Sequence, residues 1–168
     1  MNNTLSFVVH GLPKGQPRAR AFARKMGAKF VARMYDAGTA DEWKHNVAEA
    51  LLACLLVNDW QRTEEPVHAA IVFVMPRPKS HTRENGSLRD SAPRFHKAKP
   101  DIDNLVKLVF DVVTRSERVW HDDSQVIACL AEKKYAASNE RSGAIVTISA
   151  NAAEGLVLPT YRLQRPLS

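Results

Sequence analysis

The chain of 168 residues has few cysteines and no cysteine pattern that binds metal. Only Cys54 and Cys129 occur, each within an apolar run. Because no Cys-x-x-Cys spacing is present, zinc is unsupported, and two cysteines do not make the framework of a disulfide-rich domain. We expect both thiols to be buried in the core of a protein of the reducing cytoplasm.

Long apolar runs and phosphate-binding loops are also missing. No stretch approaches the roughly 18 apolar residues that a membrane span requires, and the apolar segment at residues 5–9 is too short for a signal peptide. The chain lacks the glycine-rich fingerprints of nucleotide and dinucleotide sites. We therefore expect a soluble, cytosolic protein with no membrane partner and no small organic cofactor.

Positive charge is abundant and unevenly placed. The net charge is +6, and two segments, the N-terminal arm (residues 14–33) and the central arm (residues 77–99), hold 14 of the 24 basic residues and only 2 of the 18 acidic ones. Such concentration is typical of a surface that binds a polyanion, although two loops kept soluble by charge would look the same. We expect these arm residues to contact phosphate: Arg18, Arg20, Arg24, Lys79, Arg83, Arg89 and Lys99.

The hydrophobic pattern predicts two helices and about four strands. The strands are expected at 5–10, 67–75, 125–135 and 144–150, with a hairpin within the N-terminal arm. A capping box from Thr39 to Glu42 would begin a helix that ends near residue 57. A second helix is expected from 101 or 102 to 113. Residues 77–98 lack periodicity and predict a long basic loop, mobile until phosphate binds it.

This succession predicts the α+β class. The simplest arrangement is one two-layer domain, with an approximately four-stranded mixed sheet and both main helices on one face. We place the domain at residues 1–150 and expect an irregular C-terminal tail at 151–168. No internal repeat or linker divides the chain.

Carboxylates gather around the second helix. Asp103, Lys107 and Asp111 recur every four residues and form a polar stripe on an otherwise apolar helix, while Asp101 precedes it and Asp122-Asp123 follow it. Each residue has a structural explanation, since Asp101 can cap the helix and Asp103 can pair with Lys107. Those explanations do not account for the grouping of all four carboxylates near two basic arms.

A cluster of carboxylates that repel one another favours a divalent cation. Mg²⁺ suits such oxygen ligands, and one of its waters can serve as a nucleophile. Lys107 could then neutralise charge on a scissile phosphate or position the attacking water. We expect the turn that carries Asp122 and Asp123 to project toward the first turn of the second helix.

Two segments carry a family resemblance: Lys99-Pro100-Asp101-Ile102-Asp103-Asn104-Leu105-x-Lys107 with Asp111, and Trp120-x-Asp122-Asp123-x-Gln125-Val126. Together they closely resemble the RusA-type Holliday junction resolvases, mostly of prophage origin. The resemblance is dense from about Pro76 to Lys134. It implies a homodimeric, magnesium-dependent endonuclease of DNA recombination and repair that places paired nicks in four-way DNA junctions, and we expect Mn²⁺ to substitute for Mg²⁺.

By position, the resemblance implies roles for six residues. The catalytic, metal-binding carboxylates are Asp101, Asp103 and Asp123, and the essential lysine is Lys107. Asp122 matches the first member of the acidic pair and is a further candidate metal ligand, and Lys133 matches a basic position that would contact phosphate. Two other functions stay open from the residues alone: a DNA-binding protein without catalysis, and a metal-dependent phosphohydrolase or nucleotidyl-transfer enzyme of small nucleotides.

Overall fold

The computed structural model describes residues 3–17, 20–26, 29–35, 38–150 and 157–159, with only the backbone at 20–26 and 29–35. Its elements are β1 (Thr4–His10), β2 (Arg20–Met26), β3 (Lys29–Tyr35), α1 (Asp41–Val57), β4 (Val67–Met75), α2 (Ile102–Arg115), β5 (Val126–Tyr135) and β6 (Gly143–Ala150). Two single 3-10 turns lie at Lys79–His81 and Asp123–Gln125. The predicted order of helices and strands is confirmed, with bounds that shift by one or two residues.

The main sheet has four strands in the order β1-β6-β4-β5. The β4–β5 pair is parallel, whereas β6 runs antiparallel to both β1 and β4. The predicted α+β class with a mixed sheet is therefore confirmed. The predicted hairpin is present as a separate sheet of β2 and β3.

Both helices pack on one face of this sheet. Strand residues that alternate along the chain, such as Phe7, Ile71 and Val146, share one core cluster with α1 and α2, as the period of two in a strand requires. On α2, the apolar residues that helical spacing places on one side are buried: Leu105, Leu108, Val109, Phe110, Val112 and Val113. Burial of a large aliphatic side chain contributes about 1.5–3 kcal/mol, so this face anchors α2 firmly.

The start of α1 differs from the prediction. Ala40 occupies the N-cap position, and no side-chain hydrogen bond caps the helix, so the capping box from Thr39 to Glu42 is wrong. Ala40 and Trp43 are both buried. Packing of these apolar side chains sets where α1 begins, in place of a polar cap.

The direction of α2 follows from the parallel pairing of β4 and β5. Val67 and Val126 are aligned at the first residues of these strands, and Phe73 and Lys133 are aligned near their last residues. The Lys133 ammonium lies 2.7 Å from the carbonyl oxygen of Pro100, just before α2. At the other end, the Trp120 indole donates to the Thr114 hydroxyl at 2.7 Å. The helix therefore runs antiparallel to both strands.

The long loop after β4 is not an unstructured segment. Its two sides pair at Thr82 and Leu88, and residues near Phe95 pair with the last residues of β5. The Arg83 guanidinium holds the Leu88 carbonyl at 2.8 Å and the Asp90 carboxylate at 2.9 Å. The loop thus has its own hydrogen-bonded structure, contrary to the expectation that it waits for phosphate to become ordered.

Two other sequence expectations concern the burial of the cysteines and the C-terminal tail. Cys54 is buried as predicted, but Cys129 is exposed, because it lies on β5, the outermost strand of the sheet. The prediction that Cys129 is buried is therefore wrong. The tail predicted at 151–168 lies outside the described residues apart from 157–159. There Leu158 packs against a second, smaller core cluster made of Val72, Val74, Ala136 and Ile145. Within the described part of the chain, neither helix has the length and apolar character to cross a membrane.

Candidate active site

Asp101 and Asp103, here termed the α2 carboxylates, stand at the start of α2. Asp101 is the N-cap residue, with extended backbone, yet its side chain makes no capping hydrogen bond. Both side chains are exposed. The structure therefore removes the explanation that Asp101 is simply a cap, and leaves two carboxylates available to a ligand.

Lys107 continues the same side of the helix. It lies one turn after Asp103, is exposed, and forms no ion pair among the described residues, so the alternative of an Asp103–Lys107 pair is not observed. Asp111 lies another turn along and is half-buried. The predicted polar stripe is present, and its lysine is free to meet a phosphate.

Lys133 fixes the segment that leads into the α2 carboxylates. Its Nζ atom donates to the carbonyl oxygens of Ala98 at 2.6 Å and Pro100 at 2.7 Å. A half-buried ammonium with two such short hydrogen bonds is held in place. The phosphate contact that the resemblance implies for Lys133 stays a prediction, and in the structure its ammonium holds the segment that ends at Pro100, directly before Asp101.

The beginning of the N-terminal arm lies against the same turn of α2. The Gln16 amide donates to the Asn104 carbonyl oxygen at 2.9 Å. A Cβ atom on Gly15 would lie 3.1 Å from the Asn104 Cβ and 3.4 Å from the Pro100 Cβ, which is closer than an ordinary contact, so this approach favours glycine. The basic arm therefore begins beside the α2 carboxylates.

Asp122 and Asp123 have different roles in the turn before β5. Asp122 is its N-cap: the carboxylate accepts from the Ser124 amide at 2.9 Å within a capping box. Hydrogen bonds from the Ser124 hydroxyl and amide lower the pKa of the Asp122 carboxyl. Asp123 is exposed and its carboxylate has no hydrogen-bond or ion-pair partner in the described structure, so it is the carboxylate available for a ligand.

Gln125 holds this turn against the start of β4. Its side-chain oxygen accepts from the His121 and Asp122 amides at 2.7 and 3.1 Å. Its side-chain amide donates to the Thr63 and Glu65 carbonyls, both at 3.1 Å. Four backbone groups thus depend on one side chain, which makes Gln125 the positioning residue of the acidic turn.

Within one chain, the structure does not bring the two acidic groups together. The α2 carboxylates lie near Lys133, whereas the acidic turn is attached seven residues earlier on β5, a separation of about 23 Å along an extended strand. Trp120, which precedes the turn, contacts Phe110 in the second half of α2. Among the described residues no group of three His, Cys, Asp or Glu side chains is placed to hold a metal ion. The expectation that the turn projects toward the first turn of α2 is therefore wrong.

The basic residues of the central arm fall into two groups. Arg83 and Arg89 donate to carbonyl oxygens of their own loop, Leu88 and Thr82 respectively. Lys79 and Lys99 are exposed and have no such partner among the described residues, so their charge is available to phosphate. Arg18 lies outside the described residues, as do the side chains of Arg20 and Arg24.

Sequence reasoning missed the supporting residues. Gln125 was recognised only as part of a motif, and two of its four hydrogen bonds reach Thr63 and Glu65, about 60 positions away in the chain. The contact of Gly15 with Asn104 is equally remote in sequence. No local pattern signals either contact, because the partner in each case lies in a segment that only the fold brings near.

Comparison with known families decides the class of this site. The model of the family described as Endodeoxyribonuclease RusA matches residues 10–149, most of the chain. The chain belongs to the RusA family. Comparison with curated proteins one by one gives no match.

The RusA match makes the protein an endodeoxyribonuclease, a crossover junction resolvase that hydrolyses DNA. The matched region includes the α2 carboxylates, Lys107, the acidic turn and Lys133. The resemblance read from the two sequence motifs is thus confirmed at the level of family. It also removes the alternative of a DNA-binding protein without catalysis.

Asp122 and Asp123 are adjacent and allow a matched test. Asp122→Asn retains a side-chain oxygen that can accept from Ser124, so junction cleavage should stay close to that of the unchanged protein. Asp123→Asn has the same shape but loses a carboxylate available to a ligand, and cleavage should be abolished. Single-turnover cleavage of a labelled four-way junction measures both. Equal loss in both variants would show that Asp122 acts beyond its capping bond.

Lys133 can be tested against Lys97, an exposed basic residue of the central arm. Lys133→Met leaves the Ala98 and Pro100 carbonyls without their donor, so the segment before Asp101 should shift and misplace the carboxylate. The single-turnover rate should then fall by about 10–100-fold, as it does when a supporting group is lost. The dependence of junction affinity on salt should not change. Lys97→Met should lower the salt dependence of junction affinity and leave the single-turnover rate unchanged. A smaller salt dependence in Lys133→Met would indicate a direct phosphate contact.

Proposed function

We propose that this protein is a magnesium-dependent, structure-selective endonuclease that resolves four-way DNA junctions by paired nicks. The observation that carries the proposal is the pair of unpartnered α2 carboxylates in a chain of an endodeoxyribonuclease family. Lys133 and the hydrogen bond from the Gln16 backbone to Asn104 hold the segment that carries them. Recombination and repair are the processes that present such junctions.

The donor set fits Mg²⁺. This ion keeps several waters and is commonly bound through one or two carboxylates together with phosphate oxygens of the substrate. Asp101 and Asp103 would hold it, and Asp123 is the third carboxylate for which the family resemblance implies metal binding. When bound, the ion lowers the pKa of a water and stabilises charge on the phosphate. Mn²⁺ accepts the same ligands and should replace it.

The chain's own residues supply position and charge around this pair. Lys107 lies one turn from Asp103 and would stabilise negative charge that develops on the scissile phosphate. The N-terminal arm starts beside the same turn through Gln16, and the central arm ends at Lys99, two residues before Asp101. Phosphates bound by the arms would therefore lie next to the carboxylates.

Paired nicks require two active sites on one junction. A homodimer with two-fold symmetry supplies them, since each copy brings the same set of residues to one strand. A prophage origin agrees with the motifs that the chain shares with phage-borne resolvases, and a DNA substrate favours the cytoplasm. The arms contain few aromatic residues, so we expect them to bind phosphates rather than to select a base sequence.

Junction cleavage tests the proposal directly. The purified chain should nick a synthetic four-way junction in Mg²⁺ or Mn²⁺, leave the matching linear duplex intact, and stop in EDTA. Asp103→Asn should lower the rate by more than about 10²-fold, the scale of losing one charge-stabilising group. Binding should persist, because a negative charge that faces DNA is removed.

Two results would contradict the proposal. Cleavage that continues in EDTA would remove the metal from the reaction. Equal cleavage of junction and linear duplex would show a nuclease without selectivity for structure. A matched binding assay of the same preparations excludes loss of folding as the cause of inactivity.

The salt dependence of binding tests the central arm. In the Lys79→Ala and Lys99→Ala double variant, each lost phosphate contact should lower the slope of log affinity against log salt by about 0.9. Lys44→Ala is the control, since this lysine lies 3.6 Å from Asp41 and its charge is already balanced. Fluorescence anisotropy with a labelled junction measures all three. An unchanged slope in the double variant would show that Lys79 and Lys99 do not contact phosphate and that the central arm is a solvated loop.

A further inference from the structure

A groove of about 870 Å³ lies across one end of the main sheet. The lining residues that place it there adjoin the ends of β1, β4 and β5 and the start of β6: His10, Pro76, Ala136 and Ser142. The central arm closes one side of the groove with its turn at residues 82–88, and the connection from β5 to β6 closes the other. This is also the end of the sheet at which α2 begins, because Lys133 holds the Pro100 carbonyl there.

Arg77 brings a fixed positive charge to this groove. Its Nε atom donates to the Ala136 carbonyl oxygen at 2.7 Å, and its Nη1 atom donates to the Pro93 carbonyl oxygen at 3.0 Å. The guanidinium carbon lies 5.2 Å from the centre of the Tyr135 ring. No carboxylate of the described residues balances its charge, and Nη2 has no hydrogen-bond partner among them. A guanidinium held in this way can bind an anion with little further loss of freedom.

Arg141 brings a second cation from the connection between β5 and β6. It lines the groove and is exposed, and its side chain has no partner in the described part of the chain. Ser138 and Ser142 line the same side, and their hydroxyl groups are likewise unpartnered there. Guanidinium and hydroxyl groups are the side-chain donors that contact the phosphates of DNA.

The carboxylate of Glu140, which also lines the groove, does not oppose an anion. Its side chain is only 2% exposed. One carboxylate oxygen lies 3.2 Å from the Lys134 ammonium, and the other accepts from the Ala137 amide at 3.0 Å. Both oxygens are therefore in use and the charge is balanced, so the groove keeps the positive charge of its two arginines.

The composition of the groove favours a backbone phosphate over a base. Stacking of bases in DNA-binding grooves relies on aromatic side chains, and no Phe, Tyr or Trp is among the described residues that line this one. The four strand ends span about 14 Å, and each strand of duplex DNA carries a phosphate about every 3.4 Å along the axis. A DNA arm bound at the α2 carboxylates therefore has phosphates within reach of the groove, a few nucleotides from the scissile bond.

We propose that Arg77 and Arg141 together bind one backbone phosphate of the DNA arm that is cut. The inference rests on the proposed function for its substrate, and it adds a contact that lies partly outside both basic arms, since Arg141 belongs to neither. Binding at this point fixes how far the DNA arm is advanced along the protein relative to the α2 carboxylates. It requires no reading of bases.

A scan with single neutral phosphates locates the contact. Four-way junctions carry one methylphosphonate at the same place in each cut strand, and the place is moved nucleotide by nucleotide on both sides of the nick. Fluorescence anisotropy in EDTA, which prevents cleavage, measures affinity. With the unchanged protein, the position that faces the groove should lose about 10-fold in affinity, the scale of one charge-assisted hydrogen bond.

Arg141→Gln identifies which position depends on the groove. The variant should bind the unmodified junction about 10-fold more weakly, and the methylphosphonate at that position should then cause no further loss, because both changes remove the same contact. Every other position should keep its effect. Arg77→Lys keeps the charge but loses the planar fork, so it should abolish the effect of the same position.

Arg94→Gln is the matched control. Arg94 is an exposed arginine of the central arm whose guanidinium carbon lies 5.0 Å from the centre of the Phe95 ring, and it is not among the lining residues of the groove. The variant should keep the full effect of the methylphosphonate at the groove position. Thermal melting of each variant identifies a folding defect, and Arg141→Gln decides the outcome if Arg77→Lys fails to fold.

The outcomes separate the phosphate site from the proposed function. If every position keeps its effect in Arg141→Gln, or if all positions weaken equally, Arg141 contributes only diffuse charge and the phosphate site is wrong. The unchanged protein is tested in parallel on a junction and on the matching linear duplex. If it cleaves both equally, the proposed function fails; if it selects the junction but no position depends on Arg141, only the phosphate site fails.

Discussion

The parallel pairing of β4 with β5 is the constraint on which the rest of the molecule depends. Two parallel strands cannot be joined by a tight turn, so after β4 the chain must return to the level where β4 began before β5 can start. α2 performs this return, and its direction is thereby fixed antiparallel to both strands. The two acidic parts of the motif, one at each end of the crossover, are separated by the same requirement.

Much of this fold was predictable from the sequence because apolar spacing determines it. The alternating and continuous runs at residues 5–10 and 67–75 predict their strands, and Leu105, Leu108 and Val109 predict the buried face of α2. The start of α1 was not predictable from its polar residues, since the packing of Ala40 and Trp43 overrides a capping box. Cys129 was misplaced because an edge strand and a central strand carry similar residues.

The candidate site was predictable in its chemistry but not in its geometry. Residue types and spacing indicate which carboxylates and which lysine matter, because these are properties of the motif itself. The distance between Asp103 and Asp123 depends on strand direction, which no local pattern encodes. Likewise, a basic residue at position 133 suggests phosphate by its charge, whereas the structure uses that charge to hold two carbonyl oxygens of a distant segment.

The loop segment around Phe95 covers one end of the β5 edge and leaves the other end open. An edge that is open throughout allows strands to add in several registers and from successive molecules, which leads to fibres. Covering one end shortens the stretch of β5 that is open to another strand. The loop therefore limits edge-to-edge addition along the sheet, which is a protection that natural sheets commonly use.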